Sequence, residues 1–306
     1  MSVRKSISPS QLDAMSCRFA WYLGYAKGYK AKKSSTALEL GTGIHAALEA
    51  YYKDKVDPVA FFERWTDKRL KELDLQWEDE INEAADSKKL GLAMLQNYVS
   101  VYDGKDDFDV ISTERTLRRA LPIPEELGKK KKTSRCDVVV RLDGLVRDHS
   151  TGKLFSLEHK TFSRFSLSQL ELNHQFIAQV WVGQCLAEEM GLNEPVIGVI
   201  YNGIRKQAPG PKVKNALLER HKIYCTDNQI AVFLYRAYWQ YREANRKGFP
   251  IFPQPNAIKC GQCDFKNVCI EYQRGGDWKF ILKESFTQRN QDNIEQNDIT
   301  GGSAEE

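Results

Sequence analysis

The sequence contains no apolar run approaching the roughly 18 residues that a membrane-spanning helix requires. Its opening residues, MSVRKSISPS, have no apolar core of the signal-peptide type. Neither sign of charge is in large surplus: 45 Lys plus Arg stand against 41 Asp plus Glu, a formal balance of +4. The seven cysteines do not make an even set for disulfides. These absences exclude a helical membrane protein and a disulfide-dense miniature. Hydrophobic residues at 42% and charged residues at 28% exclude a disordered chain and a collagen-like rod. At 306 residues the chain buries enough surface to fold without disulfide staples. Without an export signal it is expected in reducing cytosol, bacterial or that of a phage-infected host. Cysteines there more often serve metal sites or catalysis than disulfides.

The charge that is present is segregated. Residues 289–306 hold one basic and five acidic side chains, so the remaining chain carries +8. This end is rich in Asn, Gln and Gly and is expected to be a disordered acidic tail. Positive charge concentrates in GKKKKTSR, Gly128 to Arg135, and in a run holding Arg205, Lys206, Lys212, Lys214, Arg220 and Lys222. As loops, both runs attract a polyanion such as nucleic acid, or else are solvated connections.

Ser8-Pro9 reads as an N-cap and first-turn proline opening a helix to about Lys27. Further helices are expected over Thr36 to Tyr52 and between Pro58 and Tyr102. The period then changes to that of strands over Phe108 to Ala120, Cys136 to Arg147 and Leu154 to Thr161. A helix over Ser168 to Met190, a strand over Pro195 to Ile204 and a helix over Asp227 to Lys247 follow. No internal repeat is visible. The order suggests one α/β core with helical additions at both ends.

The segment RCDVVVRLDGLVRDHSTGKLFSLEHKT carries the most chemistry. His149-Ser150-Thr151-Gly152 reads as a four-residue hairpin loop. If Asp148 faces Lys153 across it, the same register sets Asp143 opposite Glu158. Alternation then puts Glu158 and Lys160 on one face and His159 on the other. Two like charges directly opposed on a sheet destabilise it, and a divalent cation removes the conflict. Oxygen ligands suit magnesium or manganese, which can acidify bound water and stabilise charge on a scissile phosphate. A lysine beside them can position water or offset the developing anion. The bland alternative is a set of strand-end charges paired elsewhere on the surface. His45 and Glu49 share one face of the preceding helix, where Gly41 and Gly43 hint at close backbone approach. Structurally, His45 could simply be a half-buried histidine capped by Glu49.

Near the C-terminus, Cys260, Cys263 and Cys269 form a Cys-x2-Cys-x5-Cys pattern, one thiolate short of a tetrahedral site. Cys136, Cys185 and Cys225 lie in apolar contexts and read as ordinary buried thiols. The segment FAWYLGYAKGYKAKK interleaves Phe19, Trp21, Tyr22, Tyr25 and Tyr29 with lysines. Base stacking is open to it, but core packing suits Trp21 and Tyr22 better. Tyr201, Arg205 and Lys206 read as leaving the last core strand on a basic loop, and are candidates for contacting DNA phosphates.

These residues resemble the PD-(D/E)XK nuclease superfamily, and within it the RecB/AddB-like iron–sulfur nucleases. That branch includes exonuclease V, CRISPR-associated exonucleases and phage recombination exonucleases. The resemblance spans most of residues 6–272. It implies a restriction-endonuclease-like αβββαβ core with helical N-terminal additions and a C-terminal iron–sulfur lobe. Gly41 to His45 match the family's Gly-x-x-x-His, whose histidine is a metal ligand. Asp143 and Glu158 would bind the metal, the His159 carbonyl would complete the site, and Lys160 would activate or position water. Gln175 matches the family's Gln-x-x-x-Tyr motif, but the tyrosine position is Gln179. A glycine common three residues before the aspartate is Val140. Cys17 matches the fourth ligand of a [4Fe–4S] cluster held with Cys260, Cys263 and Cys269, zinc being the alternative occupant.

The implied domains are a helical region 1–105, a nuclease core 106–248, a cysteine lobe 249–284 and a tail 285–306. The implied activity is a metal-dependent DNA exonuclease, a 5′-to-3′ resecting enzyme of recombination or repair. Its partners would be DNA with single strands or free ends and a single-strand annealing or recombination protein, with no membrane. The rival readings are a CRISPR-adaptation or structure-specific endonuclease with the same site, and a non-catalytic DNA-binding module holding zinc.

Overall fold

The computed structural model describes residues 6–32, 36–72, 78–124, 133–210 and 217–289. Most of the lysine-rich run at 128–135, Lys212, Lys214 and the acidic segment from residue 290 lie outside them. The chain opens with β1 (Ser6–Ile7), α1 (Pro9–Ala14), α2 (Arg18–Trp21), a π-helical turn (Tyr22–Ala26) and β2 (Tyr29–Ala31). Three helices follow: α3 (Thr36–Asp54), α4 (Pro58–Glu72) and α5 (Glu78–Tyr102). Next come β3 (Phe108–Pro122), β4 (Thr133–Asp148), β5 (Leu154–Phe162), α6 (Leu167–Leu170), α7 (His174–Glu189), β6 (Val196–Arg205) and β7 (Leu218–Tyr224). The chain continues through α8 (Asp227–Ala244), α9 (Ala257–Gly261), α10 (Lys266–Arg274), α11 (Trp278–Ser285) and β8 (Phe286–Gln288). Among the described residues no helix is long and apolar enough to cross a membrane.

The main sheet has the order β1-β4-β5-β6-β7, with β3 also pairing β4. Its β5–β6 pair is parallel, and β4–β5 and β6–β7 are antiparallel. The helix, three strands, helix, strand order read from the periodicity is therefore present in a mixed sheet that fits a restriction-endonuclease-like fold. The strand β7 is an addition. Its sequence, LERHKIY, lies within the basic run expected to be a loop. Two of that run's charges are consumed inside the protein: Arg220 pairs with Asp106, and Lys222 with Asp148 and Asp107.

By contact density the chain divides into two compact units, one of residues 35–115 and 141–227, the other of residues 1–34, 116–140 and 228–306. In the first unit, α3, α4 and α5 pack around Phe62, which is 1% exposed. A Cβ added at Gly43 of α3 would come within 2.7 Å of the Phe62 ring, and one at Gly91 of α5 within 2.2 Å. The ring thus fills the space two glycines leave. Gly41 does similar work against β5, where an added Cβ would meet Thr161 Oγ1 at 3.3 Å. The close approach that the two glycines of α3 hinted at is thus to β5 at Gly41 and to α4 at Gly43.

In the second unit the expected first helix is broken. Ser8 does cap α1, with a reciprocal bond to Gln11 and Pro9 in the first turn. The helix then stops, and Cys17 adopts an extended conformation ahead of α2. Phe19, Leu23, Phe265, Val268, Leu282 and Phe286 form this unit's apolar cluster. Trp21 is buried edge-on against Phe249, with ring centroids 5.5 Å apart. Core packing thus accounts for Phe19 and Trp21. The pairing of β8 with β2 orders residues 286–288, which the sequence had suggested were tail.

The β4–β5 hairpin has the expected loop and register. Asp148 N–H donates to the Lys153 carbonyl at 2.9 Å, and Gly152 takes a positive φ of 66°. The Asp148 carboxylate is buried and accepts from Thr151 N–H at 2.9 Å, and from the Ser150 and Thr151 hydroxyls at 2.7 Å each. Burial alone would raise its pKa, but these donors and Lys222 hold it below the usual carboxylate range. Hence its contribution to stability is complete above the unfolded pKa near 3.9 and fades as pH falls through the lower folded value. Asp148→Ala should cost about 1.5–3 kcal/mol in urea unfolding at pH 7. The difference from the parent protein should shrink below about pH 4.

Candidate active site

Within the first unit, the paired residues Gly144–Leu157 and Leu145–Ser156 continue the hairpin register toward Asp143 and Glu158. Buried on both faces between two neighbouring strands, β5 is covered from Leu154 through His159, and Lys160 is its first exposed residue. The Asp143 carboxylate accepts the His159 backbone N–H at 2.8 Å and lies 3.4 Å from His45 Nδ1 of α3. Lys160 Nζ stands 3.9 Å from Glu158 Oε1 and is half exposed. His45, Asp143, Glu158 and Lys160, picked out from the sequence, are therefore neighbours.

Two glutamines complete the arrangement. On α7, Gln175 Nε2 donates to Glu158 Oε1 at 2.9 Å, and Gln179 Nε2 donates to Glu158 Oε2 at 2.6 Å. Gln179 also reaches the Arg141 carbonyl at 3.3 Å and is wholly buried, and its Oε1 has no hydrogen-bond partner. The sequence pointed to Gln175 and noted Gln179 only as a missing tyrosine. The signal for the pair was a four-residue spacing, which puts both amides on one face of an otherwise apolar helix. The Asn173 side chain caps that helix at Gln175 N–H, 2.9 Å away.

The electrostatics separate the two carboxyls. Burial favours protonation of Asp143, but the nearby His45 and the His159 amide outweigh it and hold Asp143 below its ordinary range. Burial, reinforced by the Asp143 charge, pushes Glu158 up to about 7. Burial lowers the pKa of His45, yet Asp143 prevails and raises it above the ordinary imidazole value. Glu49 does not cap His45: it shares a hydrogen bond with Glu114, and burial with that carboxyl pushes it up to about 7. Arg141 pairs with Glu114 beside it.

The His159 ring occupies the opposite face of the strand from Lys160, as alternation requires. It stacks on Tyr52 at 5.4 Å, and its Nδ1 accepts from Asn202 Nδ2 at 2.8 Å. Burial pushes this imidazole down to about 3, so it is neutral. Asn202 also donates to Tyr98 at 2.7 Å and accepts from Arg220 Nε at 3.2 Å. Arg220, a candidate for a basic loop, is instead clamped by Asp106 at 2.7 Å and lies 3.7 Å from the Tyr102 ring centroid.

Tyr201 is likewise corrected in position. The strand ends at Arg205, one residue beyond the expected Ile204, so Tyr201 sits inside β6 and not on a basic loop after it, and is 3% exposed. Its ring lies among Phe165 and Phe176, 5.8 and 6.1 Å away between centroids. Arg205 is exposed at the strand end, and Lys206 follows it with its pKa lowered by burial and by Lys160.

Among the described residues no three His, Cys, Asp or Glu side chains stand close enough together to hold a metal ion as they lie. The donor set at Asp143 and Glu158 nonetheless fits a hard cation. Burial first, then the neighbouring Asp143 charge, let Glu158 keep a proton near neutral pH, and a divalent ion would replace that proton.

In the second unit, Cys17, Cys263 and Cys269 pack against one apolar cluster, and all four proposed ligands are free thiols. Each sulfur accepts an N–H: Cys17 from Gln254 at 3.5 Å, Cys260 from Asn256 at 3.2 Å, Cys269 from Gln273 at 3.3 Å, and Cys263 from the Phe265 backbone. Burial first, then the neighbouring Cys17 and Cys260, push the Cys263 and Cys269 thiols up. Such donors suit thiolates bound to a metal. Of the three remaining cysteines only Cys136 is fully buried; Cys185 and Cys225 are half-buried, a correction to the expectation.

No curated protein matches the chain in sequence. A solved structure described as "Crystal structure of SSO0001" is similar at 13% identity, with 88% of each chain covered and a TM-score of 0.35. The family model described as the PD-(D/E)XK nuclease superfamily matches residues 6–270. The chain belongs to that superfamily, and with it to nucleases that act on DNA and typically use divalent metals such as magnesium or manganese.

Proposed function

We propose that this chain is a DNA exonuclease that resects ends in the 5′-to-3′ direction during recombination or repair, working at Asp143, Glu158 and Lys160. One observation carries the assignment of the site: a buried Glu158 and a largely buried Asp143 on adjacent strands, with a half-exposed lysine beside Glu158. A divalent cation held by Asp143 and Glu158, with His45 beside Asp143, would acidify water and stabilise charge on the scissile phosphate. The chain's own groups do the positioning. Gln175 and Gln179 fix both oxygens of Glu158, and the His159 amide fixes Asp143. Lys160 can orient the attacking water or offset negative charge at the phosphate. His159 takes no part through its imidazole, which points to Asn202; its backbone carbonyl is the proposed ligand.

Exonuclease action and direction come from the likeness to the RecB/AddB branch, and so does a [4Fe–4S] cluster on Cys17, Cys260, Cys263 and Cys269. The four N–H···S bonds and the mutual influence of the thiols support a metal–thiolate group there. Its role would be to tie the N-terminal segment to α9 and α10. Arg205 and Lys206 are the proposed phosphate contacts, and a single-strand annealing protein is the proposed partner.

Glu158→Gln and Lys160→Ala should each lower magnesium-dependent cleavage of end-labelled linear DNA at least about a hundredfold, with melting temperature little changed. Full activity in either variant refutes the site. Closed-circular DNA should resist the parent enzyme, and cutting of it would identify an endonuclease. Magnesium affinity, measured by calorimetry in Glu158-intact protein, should rise as pH passes upward through about 7, with proton release on binding. The sign follows from a raised carboxyl pKa, because protonated Glu158 competes with the ion below that pH. Anaerobically purified protein should be brown and contain iron and acid-labile sulfide, and Cys263→Ala should lose both. Zinc in their place would refute the cluster.

A further inference from the structure

The solvent face of α8 carries a feature that the nuclease site does not use. Val232, Tyr235 and Trp239 are 60%, 45% and 43% exposed. They recur at the three- and four-residue spacing that keeps side chains on one helix face, and Arg242 continues the same stripe. The opposite face, with Ile230, Phe233, Ala237, Tyr238 and Tyr241, is the one buried in the core. The Tyr235 and Trp239 rings are 6.3 Å apart in an edge-on arrangement, and Trp239 also meets the buried Tyr238 edge-on at 5.5 Å, so the pair is held in place while 45% and 43% exposed.

The charge along the stripe is in positive excess. From Ala231 to Arg242 the sequence has no acidic residue, and Arg246 and Lys247 follow, both exposed. Two acids lie beside the stripe and each is already paired, Asp13 with Arg236 at 3.6 Å and Glu243 with Arg18, while no described acid stands within ion-pair distance of Arg242 or Arg246. Arg242 donates to Tyr238 OH at 3.1 Å and lies 5.9 Å from that ring's centroid, yet remains an exposed residue. The cations also lie at the helix C-terminus, where the macrodipole favours them. Exposed aromatics followed by unneutralised arginines match the surface that holds single-stranded nucleic acid: rings stack on bases and cations follow the phosphates. A protein partner would have to bring acidic side chains to this cationic end, whereas every nucleotide supplies its own phosphate. In a chain of a nuclease family, nucleic acid is the polyanion at hand.

We infer that the outer face of α8, through Tyr235, Trp239, Arg242 and Arg246, is a second binding site for single-stranded DNA, distinct from the carboxylate site in the other unit. Its sequence preference is weak, since stacking accepts every base. The site depends on family membership but not on the proposed cleavage chemistry, so the two are tested separately.

The test is fluorescence anisotropy of labelled oligo(dT) with the full chain in EDTA, where no cleavage occurs, across a salt series. Trp239→Ala should weaken binding about five- to a hundredfold, and Trp239→Phe should restore most of it. Arg242→Gln with Arg246→Gln should reduce the slope of log affinity against log salt by roughly 1.4. Magnesium affinity at the carboxylate site should stay unchanged in all of these. Unchanged affinity and slope would overturn the inference. So would a parent protein whose self-association in sedimentation is abolished by Trp239→Ala while DNA binding persists, since the stripe would then be an interface between copies. Loss of cleavage in Glu158→Gln, or its retention, bears on the nuclease assignment and leaves these binding results standing.

Discussion

A slip of one residue between β4 and β5 would turn Asp143 to the other side of the sheet from Glu158 and take the candidate site apart. The pairing is pinned at its closed end by Asp148, which gathers the loop's hydroxyls and amide onto one buried carboxylate and takes a lysine from β7. The structure thus spends one acid, held by its own donors and a lysine, to keep two mutually repelling ones in place. That division is physically sensible, because Asp143 and Glu158 repel each other and cannot fix their own geometry. Gln175 and Gln179 hold Glu158 with neutral donors, which orient the carboxylate without cancelling the charge a cation would seek.

A second layer of order lies behind the site. His159, Asn202, Arg220, Asp106, Tyr98 and Tyr52 form a continuous set of hydrogen bonds across β5, β6 and β7 and into α3 and α5. Buried polar groups are costly when unpaired and rigid when all are satisfied. Here the donors and acceptors match, since Asn202 gives both N–H bonds and accepts a guanidinium. The neutral imidazole of His159 follows from that match, and it keeps a third positive charge away from the carboxyl pair.

Much of this was legible in the sequence because it depended on local rules. Period-two alternation found β3 and β5 to within two residues and β4 to within three, and the turn tetrapeptide set the hairpin register. Gly41 and Gly43 announced a close approach of α3 before any neighbour was known. What sequence could not provide was the partner of each charge. Arg220 and Lys222 looked like solvent-facing cations because Asp106, Asp107 and Asp148 are far away in the chain. The strand β7 was hidden for the same reason, its alternation masked by charges that only tertiary pairing makes acceptable at that place. Tyr201 was grouped with the basic residues that follow the strand although the expected strand already contained it, and Gln179 was discounted because it lacked a tyrosine's chemistry rather than weighed as a donor.

The interleaving of the two units has a consequence for how the chain is made. Residues 35–227 contain every part of the carboxylate-bearing unit, whereas the cysteine-bearing unit draws on both ends of the described chain. During synthesis the first can close while the second still lacks α9, α10 and β8. Phe19, Leu23 and Cys17 then wait with an incomplete apolar environment until Phe265, Val268 and Phe286 emerge. Long-range closure of this kind is slow and leaves greasy surface open to wrong contacts. The N-terminal segment is therefore the part of this protein most in need of protection while it is being born.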